Sequence, residues 1–262
     1  MPQYFNHTKV FNDKLIEIYF IAMFIGSIIK GGKMRKLKNS LMIVIFCIFS
    51  TAALASRILP ETVICPVGGE IVSSYRLLSC GTYGVTVSLK PITTCGDPIN
   101  VVRCPGNGLP IFSSFTTEEI KKIEEVLKVN NIKKIPKWMA AALIAEQLPN
   151  HQKRVVEFLI YSFWFETDFF LKDGNLRKKL VEEYSKNSHK WNDYQKKKIA
   201  IIIGYVNLLT RDIQVSSKFL DIASKIETKN KFLSDHLQLI KSCSLNWVKK
   251  YCEPNARIKP QN

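Results

Sequence analysis

The segment CPVGGE, from Cys65 to Glu70, decides how the first part of the chain folds, because it matches CPGNG, from Cys104 to Gly108. Both segments follow the outline C-P-x-x-G. A zinc knuckle has the pattern C-P-x-C-G, in which a tight turn aims two cysteines at one ion. Here Gly68 and Asn107 occupy the position of the second cysteine. Each half-motif therefore has a single cysteine, which needs a partner elsewhere in the chain.

The spacing of the cysteines bears on whether that partner is another thiol or a metal. Structural zinc sites take cysteines in C-x2-4-C pairs, whereas the four cysteines of this region are separated by 15, 15 and 9 positions. We therefore expect two disulfides, and of the three possible connectivities we favour Cys65 with Cys104 and Cys80 with Cys95. The alternative is a zinc site built from the same four cysteines; otherwise we expect no cofactor.

The segment from Met34 to Ala55 has the pattern of a signal peptide. Basic residues begin it, an apolar run from Leu41 to Phe49 follows, and Ala53-Leu54-Ala55 matches a cleavage site. The run is too short to cross a bilayer, which takes about 20 residues. We therefore predict export to the periplasm, an oxidising compartment that favours disulfides. The alternative is a membrane anchor through an uncleaved N-terminal segment, with Leu15 to Ile29 as its first span.

Residues 1–33 precede this signal peptide, which ordinarily starts at the first methionine. The codons for Lys30 to Lys33 can contain a purine-rich ribosome-binding site just before Met34. We therefore predict that translation starts at Met34 and that residues 1–33 are a non-native extension.

The chain is strongly basic, with 38 Lys and Arg against 22 Asp and Glu, or a net charge of +16 over 262 residues. Cleavage after Ala55 would leave 207 residues, of which 31 are basic and 20 acidic, or a net +11. Such a charge attracts acidic partners. Because we expect no nucleic acid in an exported compartment, the expected partner is an envelope protein or peptide, or an anionic envelope surface.

Residues 56–114, called the head below, are predicted to be β-rich. The segment TYGVTVSL, from Thr82 to Leu89, alternates apolar and small or polar residues as a half-buried strand does. Glycine and proline pairs supply turns on both sides of it. So small a head is marginal by itself, and disulfides would stabilise it.

Helices are predicted from Thr116 onward, where Thr116 and Glu119 form a capping box. The predicted fold class is therefore α+β, with a disulfide-stapled head, an all-α domain over residues 115–252 and a flexible tail over residues 253–262. The predicted helices span 117–129, 137–148, 151–171, 175–187, 191–210, 214–227 and 230–249.

The later helices resemble tetratricopeptide hairpins, which carry small residues where two helices meet. Gly204 and Ala223 lie at similar offsets, but Asn207 and Ser216 replace the usual aromatic and alanine. The apolar stretches Glu157–Leu171 and Lys196–Leu209 are interpreted as core helices, because they are short for membrane spans and the first carries acidic residues.

Cys243 and Cys252 are nine residues apart. On one continuous helix they would lie about 13 Å apart along the axis, too far for a disulfide. A bond therefore requires the helix to end between them, for instance near Lys249. Two unpaired thiols are the alternative.

Catalytic signatures are weak in this sequence. His151, His189 and His236 lie in polar surroundings and are interpreted as surface residues. Glu157, Glu166 and Asp168 form a candidate acid–base cluster, or else the wet face of one helix. We therefore predict no catalytic residues and a non-enzymatic protein.

Several short segments together resemble a family of exported bacterial proteins with a zinc-ribbon-like C-P-x-x-G head and a tetratricopeptide-like helical domain. They are CPVGGE at 65–70, SLKP at 88–91, CPGNG at 104–108 and the helix start at Phe115. The family has no established activity, so the resemblance implies architecture only. We predict a periplasmic protein-interaction or scaffold module that binds through the concave face of its helices; the alternative is a thiol/redox or zinc-binding protein that uses the head cysteines.

Overall fold

The fold is α+β, as the sequence predicts: short antiparallel strands precede a helical region. The computed structural model describes residues 57–95 and 100–258, and Ser56–Asn262 form one unit. The strands in these ranges are β1 Arg57–Ile64, β2 Ile71–Ser79, β3 Thr82–Thr86, β4 Pro91–Thr93, β5 Val102–Arg103, β6 Pro110–Ile111 and β7 Arg257–Ile258.

Nine α-helices occur in the same described ranges. They are α1 Thr117–Val129, α2 Lys137–Gln147, α3 Val155–Phe165, α4 Thr167–Lys172, α5 Gly174–Asn187, α6 Asp193–Leu209, α7 Ile213–Lys225, α8 Lys231–Leu245 and α9 Lys249–Cys252. The predicted extension, signal peptide and N-terminal anchor fall in residues 1–55, outside the described residues.

The two half-motifs connect the strands of two antiparallel hairpins. In the first hairpin, β1 pairs with β2 and ends at the Ile64–Ile71 pair. In the second, β5 pairs with β6 and ends at the Arg103–Pro110 pair. The segments CPVGGE and CPGNGL are therefore the two connecting turns.

The strand predicted from Thr82 to Leu89 stops at Thr86. Leu89 adopts a left-handed conformation, with φ 61°, and the Thr86 amide donates to the Lys90 carbonyl at 2.9 Å. Residues 86–90 therefore form a tight turn, called the hairpin tip below. Val87 and Leu89 at this tip are 2% exposed and belong to the main apolar core with the helices.

The residues after α9 return to the head. β7 pairs with β3 through Val85–Ile258 and Thr86–Arg257, and the Val87 amide donates to the Ala256 carbonyl at 2.9 Å. The flexible tail expected from residue 253 is therefore ordered through Ile258. The hairpin tip lies between this returning segment and the helices.

The helix starting at Thr116 is capped as predicted, since the hydroxyl of Thr116 and the carboxylate of Glu119 each accept an amide hydrogen bond. The single helix predicted over 151–171 is wrong. A 3₁₀ turn at Pro149–Arg154 comes first, and Glu166, with φ −127° and ψ 37°, separates α3 from α4. The helical conformation is therefore interrupted at Glu166.

Close packing of α6 on α7 explains the glycine in the predicted repeat. A Cβ on Gly204 would lie 2.7 Å from Cδ2 of Leu220, and Ala223 is fully buried. α6 is a core helix, with buried residues from Ala200 to Leu208. Within the described ranges, no helix has the length and apolar character needed to span a membrane.

Candidate functional site

The two half-motifs fold into equivalent turns. In the first, the Cys65 amide donates to the Glu70 carbonyl at 2.8 Å and the Gly69 amide donates to the Cys65 carbonyl at 3.1 Å. In the second, the Cys104 amide donates to the Leu109 carbonyl at 2.9 Å and the Gly108 amide donates to the Cys104 carbonyl at 2.8 Å. The sequence likeness therefore reflects a shared backbone geometry.

Cys65 and Cys104 form a disulfide between these turns, with their Cα atoms 5.7 Å apart. Both residues are 1% exposed, and they pack in a small apolar cluster with Leu109 and Ile123. The disulfide is therefore buried where the head meets α1.

Asn107 links the two turns by hydrogen bonds that the sequence analysis did not identify. Its side-chain amide donates to the Val67 carbonyl at 2.8 Å, and its Oδ1 accepts from the Leu109 amide at 2.9 Å. The residue that replaces a knuckle cysteine thus supplies a polar contact between the turns. Gly68, its counterpart, has φ 103° and leaves space that the Glu70 carboxylate fills.

Arg103 attaches the second turn to the helical region. Its guanidinium donates to the carbonyls of Gly108, Ile132 and Ile135 at 3.0, 2.6 and 2.9 Å. Burial lowers the pKa of Arg103, and the nearby charge of Glu166 opposes that effect. These bonds hold the half-motif against the segment between α1 and α2.

The other four cysteines of the described residues also form disulfides. Cys80 bonds Cys95, and Cys243 bonds Cys252, with Cα separations of 5.6 and 5.7 Å. The Cys243–Cys252 bond is possible because α8 ends between the two cysteines, at Leu245 and not near Lys249.

The structure does not assemble the alternative zinc site. Cys65 with Cys104, and Cys80 with Cys95, lie in separate disulfides. No group of three or more His, Cys, Asp or Glu side chains among the described residues is placed to share a metal ion.

The prediction of three surface histidines is wrong for His236. This residue is 2% exposed, because the hairpin tip and neighbouring helices cover it. His151 is half-buried beside Glu119, with Nε2 and Oε1 3.3 Å apart, and only His189 is exposed as expected. The polar neighbours of His236 in sequence masked its burial.

The three candidate acid–base carboxylates have separate roles. Glu166 accepts hydrogen bonds from the amides of Trp138 and Met139 at 2.7 and 3.3 Å, and so caps α2. Glu157 pairs with Arg154 at 3.4 Å, and Asp168 is exposed. The contacts of Glu157 and Glu166 are therefore structural.

A cleft of about 400 Å³ opens between the first hairpin, the second hairpin and the segment before α1. We call it the head cleft. Its apolar lining is Val63, Ile64, Pro66, Val102, Ile111 and Phe115. Ile64 is 67% exposed at the rim, so one side of the cleft is open to solvent.

Polar groups also line the head cleft. Ser74, Ser113 and Ser114 contribute hydroxyl groups, and Asn100 donates to Ser74 Oγ at 2.8 Å. Glu61 supplies the only carboxylate among the described lining residues and pairs with Arg76 at 3.0 Å. The cleft can therefore bind an apolar group and hydrogen-bond to its polar neighbours.

The cleft lies beside an incompletely paired strand. Among the described strands, β1 pairs only with β2, so its other edge presents amide and carbonyl groups. Pro60 lies within β1, as expected of an edge strand. No family model, curated protein or solved structure matches the chain.

Proposed function

We propose that this chain is an exported, periplasmic interaction module without catalytic activity, whose head cleft binds an extended segment of an envelope protein. Three disulfides support an oxidising, exported environment. Removal of the predicted signal peptide after Ala55 would release a chain that begins just before β1.

The head cleft is the observation that carries this proposal. Its size suits a few side chains, and apolar walls with several hydroxyl groups are typical of a binding pocket. An extended segment can also form backbone hydrogen bonds with the exposed edge of β1. This site replaces the concave helical face as the proposed docking surface.

The occupant is proposed to be a peptide segment because the cleft is open along a strand edge. A small molecule is usually enclosed on most of its surface. This cleft, in contrast, is open to solvent at the exposed residues Ile64 and Ser114. The segment is expected to be mainly apolar and to alternate its side chains between the cleft and solvent.

Site-specific photo-crosslinking in the exporting cell tests the proposal. A photoreactive phenylalanine analogue at Ser114 should yield one discrete adduct with an envelope protein. The same analogue at Ser224, an exposed residue of α7, is the control and should yield none.

A matched pair of substitutions makes the test specific. Ile64→Asp places a charge at the rim of the cleft and should abolish the Ser114 adduct. Ile213→Asp, at a 55% exposed isoleucine on α7, should leave it unchanged. An adduct that persists with Ile64→Asp, or that forms equally from Ser224, contradicts the proposal.

The second candidate function is thiol–disulfide exchange, and one observation favours the Cys80–Cys95 disulfide as its site. Cys80 and Cys95 are each partly exposed, unlike the buried Cys65–Cys104 pair. A redox protein would use the accessible disulfide. Rapid reduction of Cys80–Cys95 by thioredoxin, while the buried Cys65–Cys104 disulfide stays intact, would support this alternative.

A further inference from the structure

The segment Ser244–Tyr251, called the C-terminal loop below, exposes an unusual set of large apolar side chains. Leu245 is 89% exposed, Trp247 45%, Val248 41% and Tyr251 55%. These four residues lie within seven positions of one another, far along the chain from the head cleft. Isolated exposed apolar residues are ordinary, but four of them in one short segment indicate a contact surface.

The base of this loop is fixed to the protein. Cys243 and Cys252 form a disulfide and are 3% and 2% exposed. The hydroxyl of Tyr205, on the core helix α6, donates to the Cys252 carbonyl at 2.6 Å. The apolar residues are therefore displayed on a closed, anchored loop.

The charge of the loop is positive. Lys249 and Lys250 are exposed, and the sequence between the two cysteines contains no acidic residue. Glu253, just after the loop, lies 3.5 Å from Lys249 and offsets part of this charge. Lys250 has its ammonium 5.3 Å from the ring of Tyr251, so cationic and aromatic groups lie side by side.

We propose that the C-terminal loop binds the surface of an anionic phospholipid membrane. Trp and Tyr rings lie favourably at the level of lipid headgroups, and Leu245 and Val248 can enter the outer acyl region. Lysines beside them attract anionic headgroups. Protein interfaces, by contrast, are depleted in lysine, so a lipid surface fits this composition better than a second protein.

This membrane site is independent of the proposed peptide site. The loop belongs to the C-terminal disulfide, whereas the head cleft is built from the two hairpins and the segment before α1. The loop would attach the protein to the membrane surface, and the head cleft would bind the proposed peptide segment.

Vesicle flotation of the protein as purified from the exporting cell tests the proposal. The probes are vesicles of phosphatidylcholine alone and vesicles that also contain phosphatidylglycerol. The wild-type protein should float with the anionic vesicles and stay unbound with the neutral ones. Leu245→Ser/Trp247→Ser should abolish flotation, because these exposed side chains supply the apolar contact.

The charge contribution is tested separately by Lys249→Gln/Lys250→Gln. Each lysine near an anionic surface strengthens partitioning about fivefold, so this variant should bind about 30-fold more weakly. Ile213→Ser/Phe232→Ser removes two other exposed apolar residues, 55% and 42% exposed on α7 and α8. This control should bind as the wild type does.

Results that point away from an anionic membrane are distinct. Absence of flotation, equal flotation with neutral vesicles, or equal loss in the control variant overturns the proposal. A concentration-dependent dimer in light scattering that disappears in Leu245→Ser/Trp247→Ser also overturns it, in favour of a second copy of the chain. None of these results changes the expected photo-crosslinking at Ser114.

Discussion

His236 Nε2 donates a 2.8 Å hydrogen bond to the carbonyl oxygen of Val87, 149 residues earlier in the chain. A carbonyl can only accept, so Nε2 carries the proton. Nδ1 is buried and has no hydrogen-bond partner among the described residues. The imidazole therefore joins α8 to the hairpin tip as a neutral group.

The stability of the protein should fall in mild acid because His236 is buried in its neutral form. Burial lowers its pKa from 6.5 to about 4, although the Val87 bond opposes the shift. Between these values the unfolded chain binds more protons than the folded one, so acid favours unfolding. The full stabilisation is present above pH 6.5, and up to about 3 kcal/mol is lost as the pH falls to 4.

Urea unfolding at a series of pH values checks this prediction, with His236→Gln as the matched variant. Glutamine can donate to the Val87 carbonyl but does not titrate. The pH dependence that remains in His236→Gln comes from other groups, including Glu119, whose pKa is lowered chiefly by its hydrogen bond with the Thr116 amide. If the free energy of unfolding changed equally with pH in the wild type and in His236→Gln between pH 4 and 6.5, the buried, neutral state of His236 would be refuted.

Gly108 and Gly69 provide a matched test of the two equivalent turns. Both have positive φ, 77° and 73°, and alanine in this conformation costs about 1 kcal/mol or more. A Cβ on Gly108 would also lie 2.6 Å from the Lys133 Cα, whereas nothing lies within 4 Å of one on Gly69. Gly108→Ala should therefore be the more destabilising change, by about 1–3 kcal/mol.

Chemical denaturation of Gly108→Ala and Gly69→Ala measures this difference directly. Equal losses would mean that only backbone conformation matters at both glycines. That result would contradict the close approach of the second turn to the segment between α1 and α2.

The fold class follows from local sequence signals, and so does much of the helix arrangement. The Thr116–Glu119 capping box sets the start of α1, and the observed helix matches the predicted 117–129 span. The apolar stretch Lys196–Leu209, too short for a membrane span, also identified α6 as a core helix. These signals act within a few residues, so they are readable without tertiary information.

Contacts between distant segments were harder to predict. The pairing of β7 with β3 joins residues far apart in sequence, and a two-residue strand has no pattern of its own. The burial of His236 depends on the hairpin tip, which became a turn because Leu89 adopts a positive φ. Leucine gives no local indication of that conformation.

The head cleft was not predicted for the same reason. Its lining combines residues of β1, β2, β5 and β6, Pro66 of the first turn, Asn100 and the segment before α1, and none of these carries a binding motif. Phe115 was identified through the family resemblance, but Asn100 and Ser74 had no signal in the sequence.

Loss of the long-range disulfide should destabilise the protein more than loss of the shorter one in the head. Cys65–Cys104 spans 39 residues and Cys80–Cys95 spans 15. The chain-entropy relation assigns about 4 and about 3 kcal/mol to loops of these lengths. Urea unfolding of Cys65→Ala/Cys104→Ala and Cys80→Ala/Cys95→Ala should show this order, and the reverse order would count against it.

Gly204→Ala should destabilise the α6–α7 pair despite the better helix propensity of alanine. Alanine gains about 1 kcal/mol in a helix, but its Cβ would overlap Leu220, and overpacking costs about 1–3 kcal/mol. In a Leu220→Ala background the overlap is gone, so Gly204→Ala should become neutral or stabilising. A double-mutant cycle by thermal unfolding measures this coupling, and simple additivity would contradict it.

The central claim is that disulfides, and not thiols or zinc, hold the two half-motifs in a head that binds a partner. Alkylation of the denatured, unreduced protein followed by peptide mapping tests it most directly. The account predicts linked peptides joining Cys65 to Cys104, Cys80 to Cys95 and Cys243 to Cys252, with none of these six cysteines alkylated. Alkylated Cys65 and Cys104, together with stoichiometric zinc in the native sample, would contradict it.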